Sequence, residues 1–308
     1  MEKEVRGERL VIMRKLAPIL PIISGTLFGT VGIFVRGLFD GGFDGVTILF
    51  TRAAVAAIVL FIYLFIKDRS YFRFDKKNLP YMLFCSLVCM FGTNMCFNVS
   101  SVELTLSLAA VLLSIFPIYV MFASRIMFGE KITSRKVICM FMAIAGCVMV
   151  SGVIGSDVHL SGKGLLAGLI SGITYGAYGI ASKKAVDNGM KGLTMTFYCL
   201  LFLAIALAPF SDYGAIGTYL VQAPVRHGLF MLTHSLCVAV FSYLTYTIAL
   251  QYIEPGLASI LASCEPVAAM VFGLIFFAEI PSVISIAGLI ITLVALTILV
   301  KPEKKELT

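Results

Sequence analysis

Apolar residues in this chain run in long unbroken stretches, and the charged residues gather between them. The stretches lie at roughly 16–36, 46–66, 79–101, 104–127, 135–154, 162–183, 192–210, 226–251, 255–278 and 282–300. Each is long enough to cross a hydrocarbon core of about 30 Å as an α-helix. They are continuous, whereas the strands of a transmembrane β-barrel alternate over about ten residues. Short loops join them, so the pattern predicts ten transmembrane helices and no soluble domain. The first stretch exceeds the usual 7–15-residue apolar core of a signal peptide, and no small-x-small cleavage site follows, so it is read as retained.

Composition agrees: 59% of residues are hydrophobic and 13% charged, with a mean hydropathy of +0.99. A soluble domain carries about 25% charged residues. The net charge of +7 reports orientation and points to no nucleic-acid partner. With the N-terminus inside, nineteen of the 24 Lys and Arg residues fall on cytoplasmic segments, and only Arg36, Lys163 and Arg226 fall on the opposite side. The positive-inside rule then places both termini in the cytoplasm, in a chain integral to the cytoplasmic membrane.

Two motifs occur twice. Ser24-Gly25-x-x-Phe28-Gly29-x-x-Gly32-Ile33-x-x-Arg36 returns 147 residues later as Ser171-Gly172-x-x-Tyr175-Gly176-x-x-Gly179-Ile180-x-x-Lys183. Downstream, Leu108, Ala109, Leu112, Ser114, Pro117, Met121, Ile126, Phe128 and Glu130 return at an offset of 149 as Leu257, Ala258, Leu261, Ser263, Pro266, Met270, Ile275, Phe277 and Glu279. The chain therefore divides into a cytoplasmic segment 1–15, a first repeat 16–155, a second repeat 160–300 and a cytoplasmic tail 301–308. Five crossings per repeat is an odd number, so the second copy runs through the membrane in the opposite sense. Arg36 ends the first helix outside, and its mate Lys183 ends the sixth inside. The expected fold is an all-α polytopic membrane protein of ten transmembrane helices in two inverted five-helix repeats. That architecture recurs in secondary transporters, with the site near the midplane between the repeats.

Gly25 and Gly29, and Gly172 and Gly176, stand four apart, a spacing that lets another helix approach closely. Pro117 and Pro266 lie mid-helix at symmetry-related positions. Each removes a backbone hydrogen bond and frees a carbonyl that needs protein or water around it, which marks a break or hinge.

The Phe28-Gly29 motif, these prolines, the endings Phe128-Gly129-Glu130 and Phe277-Ala278-Glu279, and Glu265-Pro266-Val267 resemble the EamA-type branch of the drug/metabolite transporter superfamily. The resemblance covers essentially the whole chain. It departs in the absence of tryptophan: Phe28 and Tyr175 stand where members often carry one. It implies transport of an amino acid, small metabolite, nucleotide-like molecule or drug, and it names no substrate.

Ionisable groups inside a membrane are costly and mark functional positions. Glu265, beside Pro266, is suited to exchange a proton for substrate or to bind a substrate ammonium; capping the carbonyls freed by the proline is the other role open to it. Its repeat mate is Phe116, so any acid role belongs to one half. Asn94 and Asn98, four apart on the third helix, offer hydrogen bonds to substrate or to a neighbouring helix. Tyr175, Tyr178, Tyr243 and Tyr246 make either an amphipathic wall for an organic substrate or ordinary packing. His234 is a titratable group in the outer half of the eighth helix or a satisfied polar residue among packed helices. Arg52 has three alternatives: snorkelling to the interface, pairing with Asp40 or Asp44, or binding an anion. Arg125 is expected to snorkel, and Glu130 and Glu279 to anchor loops. The eight cysteines all fall in predicted helices and read as small apolar packing residues, so no metal is expected.

The leading reading is a secondary active transporter of a small polar organic metabolite, an amino acid or similar. It would export by alternating access, with Glu265 as the proton-coupling candidate. An uptake permease of the same fold is the first alternative, and a non-transporting lipid-handling or scaffold protein the second. The sequence has no phosphate-binding G-x-x-x-x-G-K-[ST] loop, H-E-x-x-H or G-x-S-x-G motif and only three histidines. No enzyme activity, cofactor or ATP drive is expected. The partners are the substrate and the lipid bilayer, and a monomer or homodimer suffices.

Overall fold

The computed structural model describes residues 16–104, 106–154 and 161–300; the expected terminal segments 1–15 and 301–308, with their charges, lie outside them. Ten helices appear in the expected order among the described residues, and nine of them are long and apolar enough to cross a membrane. They are α1 Ile19–Asp40, α2 Gly45–Lys67, α3 Lys76–Glu103, α4 Leu108–Phe128, α5 Ser134–Val150, α6 Gly162–Asp187, α7 Gly192–Phe210, α8 Pro224–Ala249, α9 Pro255–Phe277 and α10 Val283–Val300. Among the described residues no strand occurs. Helix α5 is the shortest, and its 17 residues span about 26 Å at ~1.5 Å each. The end of the bundle where α1 begins and α10 ends is here the near face, and the opposite end the far face.

The helices start where side chains can take up the first free N–H groups. Asp44 accepts from the Thr47 amide at 2.7 Å, Thr133 from the Lys136 amide and Ser161 from the Gly164 amide. Helices α4 and α9 end on left-handed residues 149 positions apart, Gly129 (φ 67°) and Ala278 (φ 54°). The second copy keeps the conformation with a side chain present, a strain of about 1 kcal/mol. Large apolar side chains point outward in rows, such as Ile58, Ile62 and Ile66 on α2 and Ile286, Ile290 and Val294 on α10. Lipid is the solvent that suits this surface.

One expectation needs correction. The segment after α7 is no mere loop: Tyr213–Gln222 form a short helix at the far face, capped by Asp212. Two glycines inside it, Gly214 and Gly217, hide its helical pattern.

The packing exchanges the first helix of each repeat. Helix α1 lies against α8 and α9, and α6 lies against α3 and α4, while α2 pairs with α7 and α5 with α10. The glycine motif makes the exchange possible. A Cβ on Gly25 would strike the Ala262 carbonyl oxygen and sit 2.7 Å from Cys264 Sγ; one on Gly29 would sit 2.9 Å from the Glu265 carbonyl oxygen. In the other half, a Cβ on Gly172 would come 3.0 Å from Leu112 O, and one on Gly176 3.4 Å from Phe116 O. Proline lacks the N–H that would bond four residues back, so Pro266 frees Ala262 O and Pro117 frees Leu113 O. These are carbonyls that Gly25 and Gly172 cover. Helix α9 breaks there, between Ala262 and Glu265, and α4 between Ser114 and Phe116. Gly25→Ala should accordingly lower stability by about 1–3 kcal/mol, the usual cost of overpacking. Thermal unfolding in detergent would measure this, with Gly32→Ala as control, because a Cβ on Gly32 meets nothing within 4 Å.

Candidate functional site at the helix breaks

The second segments of the two broken helices begin with a repeat-related pair, Phe116 on α4 and Glu265 on α9. Tyr175 on α6 touches both. Its ring meets Phe116 edge-on with centroids 4.6 Å apart, and its hydroxyl donates a 2.9 Å hydrogen bond to Glu265 Oε2. Its own repeat mate, Phe28 on α1, lies 6.1 Å away, also edge-on. Phe28, Tyr175, Phe116 and Glu265 thus form a quartet of two repeat-related pairs, with Tyr175 in contact with the other three. Only the second repeat supplies polar groups, the phenol and the carboxyl. Glu265 opens a helical segment, where backbone N–H groups favour a negative charge.

The remaining tyrosines extend this quartet along α6 and α8. Tyr243 packs edge-on against Phe28 and against Tyr178, each at 5.0 Å, and Tyr178 lies 6.4 Å from Tyr246. The Tyr178 and Thr247 hydroxyls share a 3.2 Å hydrogen bond, and Tyr246 covers Gly179. All three rings are buried within the bundle. The four tyrosines therefore belong to one aromatic wall.

Asn94 and Asn98 both face α2, at points seven residues apart on it. Asn94 Oδ1 accepts from Arg52 Nη2 at 3.1 Å, and its amide donates to Met90 O at 2.7 Å. Asn98 lies nearer the far face against Gly45 and is exposed. Arg52 departs from two of the three roles considered for it. It does not snorkel, being only 7% exposed, and among the described residues it forms no ion pair with Asp40 or Asp44. His234 is buried and stacks on Phe34 at 5.2 Å. Arg125 is exposed at the near face.

Two features had no signal in the sequence. Helices α3 and α8 each contain a π-helical turn, Phe84–Met90 and Ser235–Phe241, whose starts lie 151 residues apart. Such turns insert a residue into the helix and recur at functional sites; these two shift the register just before Asn94 and Tyr243. The other is the meeting of Phe28 and Phe116 on the one ring of Tyr175. A cavity of about 1110 Å³ opens at the near face between α2, α7 and α8, lined by Leu60, Lys67, Tyr71, Lys191 and Gln251. It touches none of the quartet. Among the described residues no group of His, Cys, Asp or Glu is arranged to hold a metal ion.

The two faces are held differently. At the near face Lys136 bridges Glu130 at 2.9 Å and Glu254 at 2.5 Å, and Glu130 also accepts from the Gly256 amide. At the far face Arg36 pairs with Glu279 at 2.6 Å and lies over the Phe277 ring. The repeat mate of Lys136 is Ser285, so the buried near-face ionic cluster has no far-face copy.

Known proteins resemble this chain in sequence and in fold. The model of the EamA-like transporter family matches twice, over residues 15–152 and 162–301. A protein of Archaeoglobus fulgidus described as an uncharacterized transporter is 26% identical over 260 residues, covering 84% of this chain and 86% of its own. The uncharacterized transporter YxxF of Bacillus subtilis is 22% identical over 302 residues, covering 96% of this chain and 93% of its own. A solved crystal structure aligns with a TM-score of 0.75 at 14% identity, over 92% of this chain and 95% of that one, which speaks to fold alone. With its two matched units in an all-helical, two-repeat fold, the chain belongs to the EamA-like transporter family.

Proposed function

We propose that this transporter is a secondary active exporter that moves a small polar organic metabolite of amino-acid size out of the cytoplasm in exchange for protons. One observation carries the reading: the only carboxyl of the quartet, Glu265, starts the second segment of broken α9 and is hydrogen-bonded to Tyr175 of α6, the helix that packs against the other repeat. A carboxyl at the contact between the two repeats can meet solution from either face in turn as the halves trade conformations. In the occluded state Tyr175, Tyr178, Tyr243 and Tyr246 would wall the substrate, with Asn94, Asn98 and His234 supplying polar contacts. Pro117 and Pro266 would serve as the hinges, and Gly25, Gly29, Gly172 and Gly176 as smooth contacts over which α1 and α6 slide. No covalent chemistry is part of this cycle. The near face is cytoplasmic in this reading, with both termini inside, and one chain completes the site.

The test is flux from reconstituted vesicles across a metabolite panel, with and without an imposed proton gradient. Saturable flux of at least one polar metabolite, accelerated by protons moving the opposite way, is expected. Absence of saturable flux across the panel would overturn the proposal.

A further inference from the structure

Arg52 is an unusual residue to find on an apolar helix in the interior of the bundle. Its guanidinium has five N–H donors in a rigid plane, and one goes to Asn94 Oδ1. No carboxylate among the described residues lies within ion-pair distance of it. The amide of Asn94 is tied to Met90 O, which turns its oxygen toward Arg52 and holds both side chains in place. His234 lies on α8, which packs against α2, and its ring stacks on Phe34 at 5.2 Å. It is 1% exposed, and its Nε2 has no hydrogen-bond partner among the described residues. Tyr243, on the same helix as His234, packs against Phe28 of the quartet at 5.0 Å, which ties α8 to the quartet.

A buried cation without a counter-charge destabilises the fold that contains it, because its lost hydration is not replaced. Such a group persists where it serves a ligand, since binding sites trade stability for function. The guanidinium fork matches a carboxylate with two parallel N–H···O bonds. One fixed cation balances one negative charge, which favours a carboxylate over a doubly charged phosphate.

We propose that Arg52, positioned by Asn94, with His234 on the helix packed against its own, is a binding subsite for the carboxylate of the transported molecule. This rests on the transport reading and narrows its substrate class to carboxylate-bearing metabolites.

The test uses purified full-length protein. It lacks tryptophan, so tyrosine emission reports its thermal unfolding. The probes are L-amino acids and short carboxylic acids, each beside its uncharged amide, together with inorganic phosphate. At least one acid should raise the melting temperature while its amide does not. Arg52→Gln should raise the half-saturating concentration of that acid by roughly tenfold to a hundredfold, the range for a hydrogen bond to a charged group, and Arg52→Lys by less. Without ligand, Arg52→Gln should melt no lower than the wild type, because it removes an uncompensated charge; a purely structural arginine would give a clear drop. The subsite is overturned if acids and amides act alike, if phosphate acts as well as the acids, if no acid stabilises the wild type more than Arg52→Gln, or if the ligand-free variant melts well below the wild type. Failure of the transport reading looks different. Acid binding that depends on Arg52 without any vesicle flux sinks transport alone, and proton-driven flux indifferent to Arg52 sinks the subsite alone.

Discussion

Glu265→Gln should leave the protein folded and abolish the response of flux to a proton gradient. Glutamine keeps the shape of the side chain and an oxygen that can accept the 2.9 Å hydrogen bond from Tyr175, so the quartet should keep its packing. It cannot gain or lose a proton in the working range. Flux driven by an imposed gradient should fall at least about tenfold, the scale set by losing about 1.4 kcal/mol of coupling. Exchange of labelled for unlabelled substrate at equal pH should be affected far less. Flux from vesicles at several internal and external pH values separates these outcomes. A variant whose flux keeps the wild-type pH dependence would remove Glu265 from the coupling step. Phe116, the repeat mate, cannot take over, so no second acid in the quartet would mask the effect.

Lys136→Met should give the largest loss of stability. The Glu130 side chain is only 2% exposed, and the substitution strands its carboxylate without the ammonium 2.9 Å away. Removing one partner of a buried ion pair costs about 3–5 kcal/mol. The exposed third member, Glu254 at 54%, contributes little, which places the expected loss near the lower figure. Thermal or denaturant unfolding in detergent would show it. The double variant Lys136→Met with Glu130→Gln should recover most of the loss, because no charge is then left buried and the amide can still accept from Gly256. A double variant as unstable as the single one would mean that the lysine stem, rather than its charge, holds this corner.

Much of the architecture was legible because lipid imposes a simple rule on sequence. A crossing must be apolar for its whole length, so the ten runs and their two-copy pattern showed directly. Glu265 stood out by the same rule, as a carboxyl group in an apolar run. Partnership between helices is another matter. The stripe of Gly25 and Gly29 announces close packing without saying against what, and Ala262 on α9, which Gly25 meets, lies 237 residues away. The π-helical turns are invisible for a related reason: Phe84–Met90 and Ser235–Phe241 have ordinary helix-forming side chains, and only neighbouring helices select the wider winding. The role of Arg52 stayed open among three because snorkelling is the default for a long basic side chain. Its capture by Asn94 depends on two helices meeting at one level, which a sequence does not print. The short helix Tyr213–Gln222 was hidden by two glycines.

The exchange of α1 and α6 between the halves sets a timetable for biosynthesis. Ribosomes add about 5–20 residues per second, so α9 emerges roughly 10–50 s after the first helix it must clasp. Through that interval the newly inserted α1 has a glycine-lined groove and nothing of its own chain to fill it. The second half meets no such delay, since α3 and α4 already wait in the membrane when α6 arrives. Assembly is thus lopsided in time although the finished molecule is symmetric in space, and its most exposed moment falls on the helix that enters first.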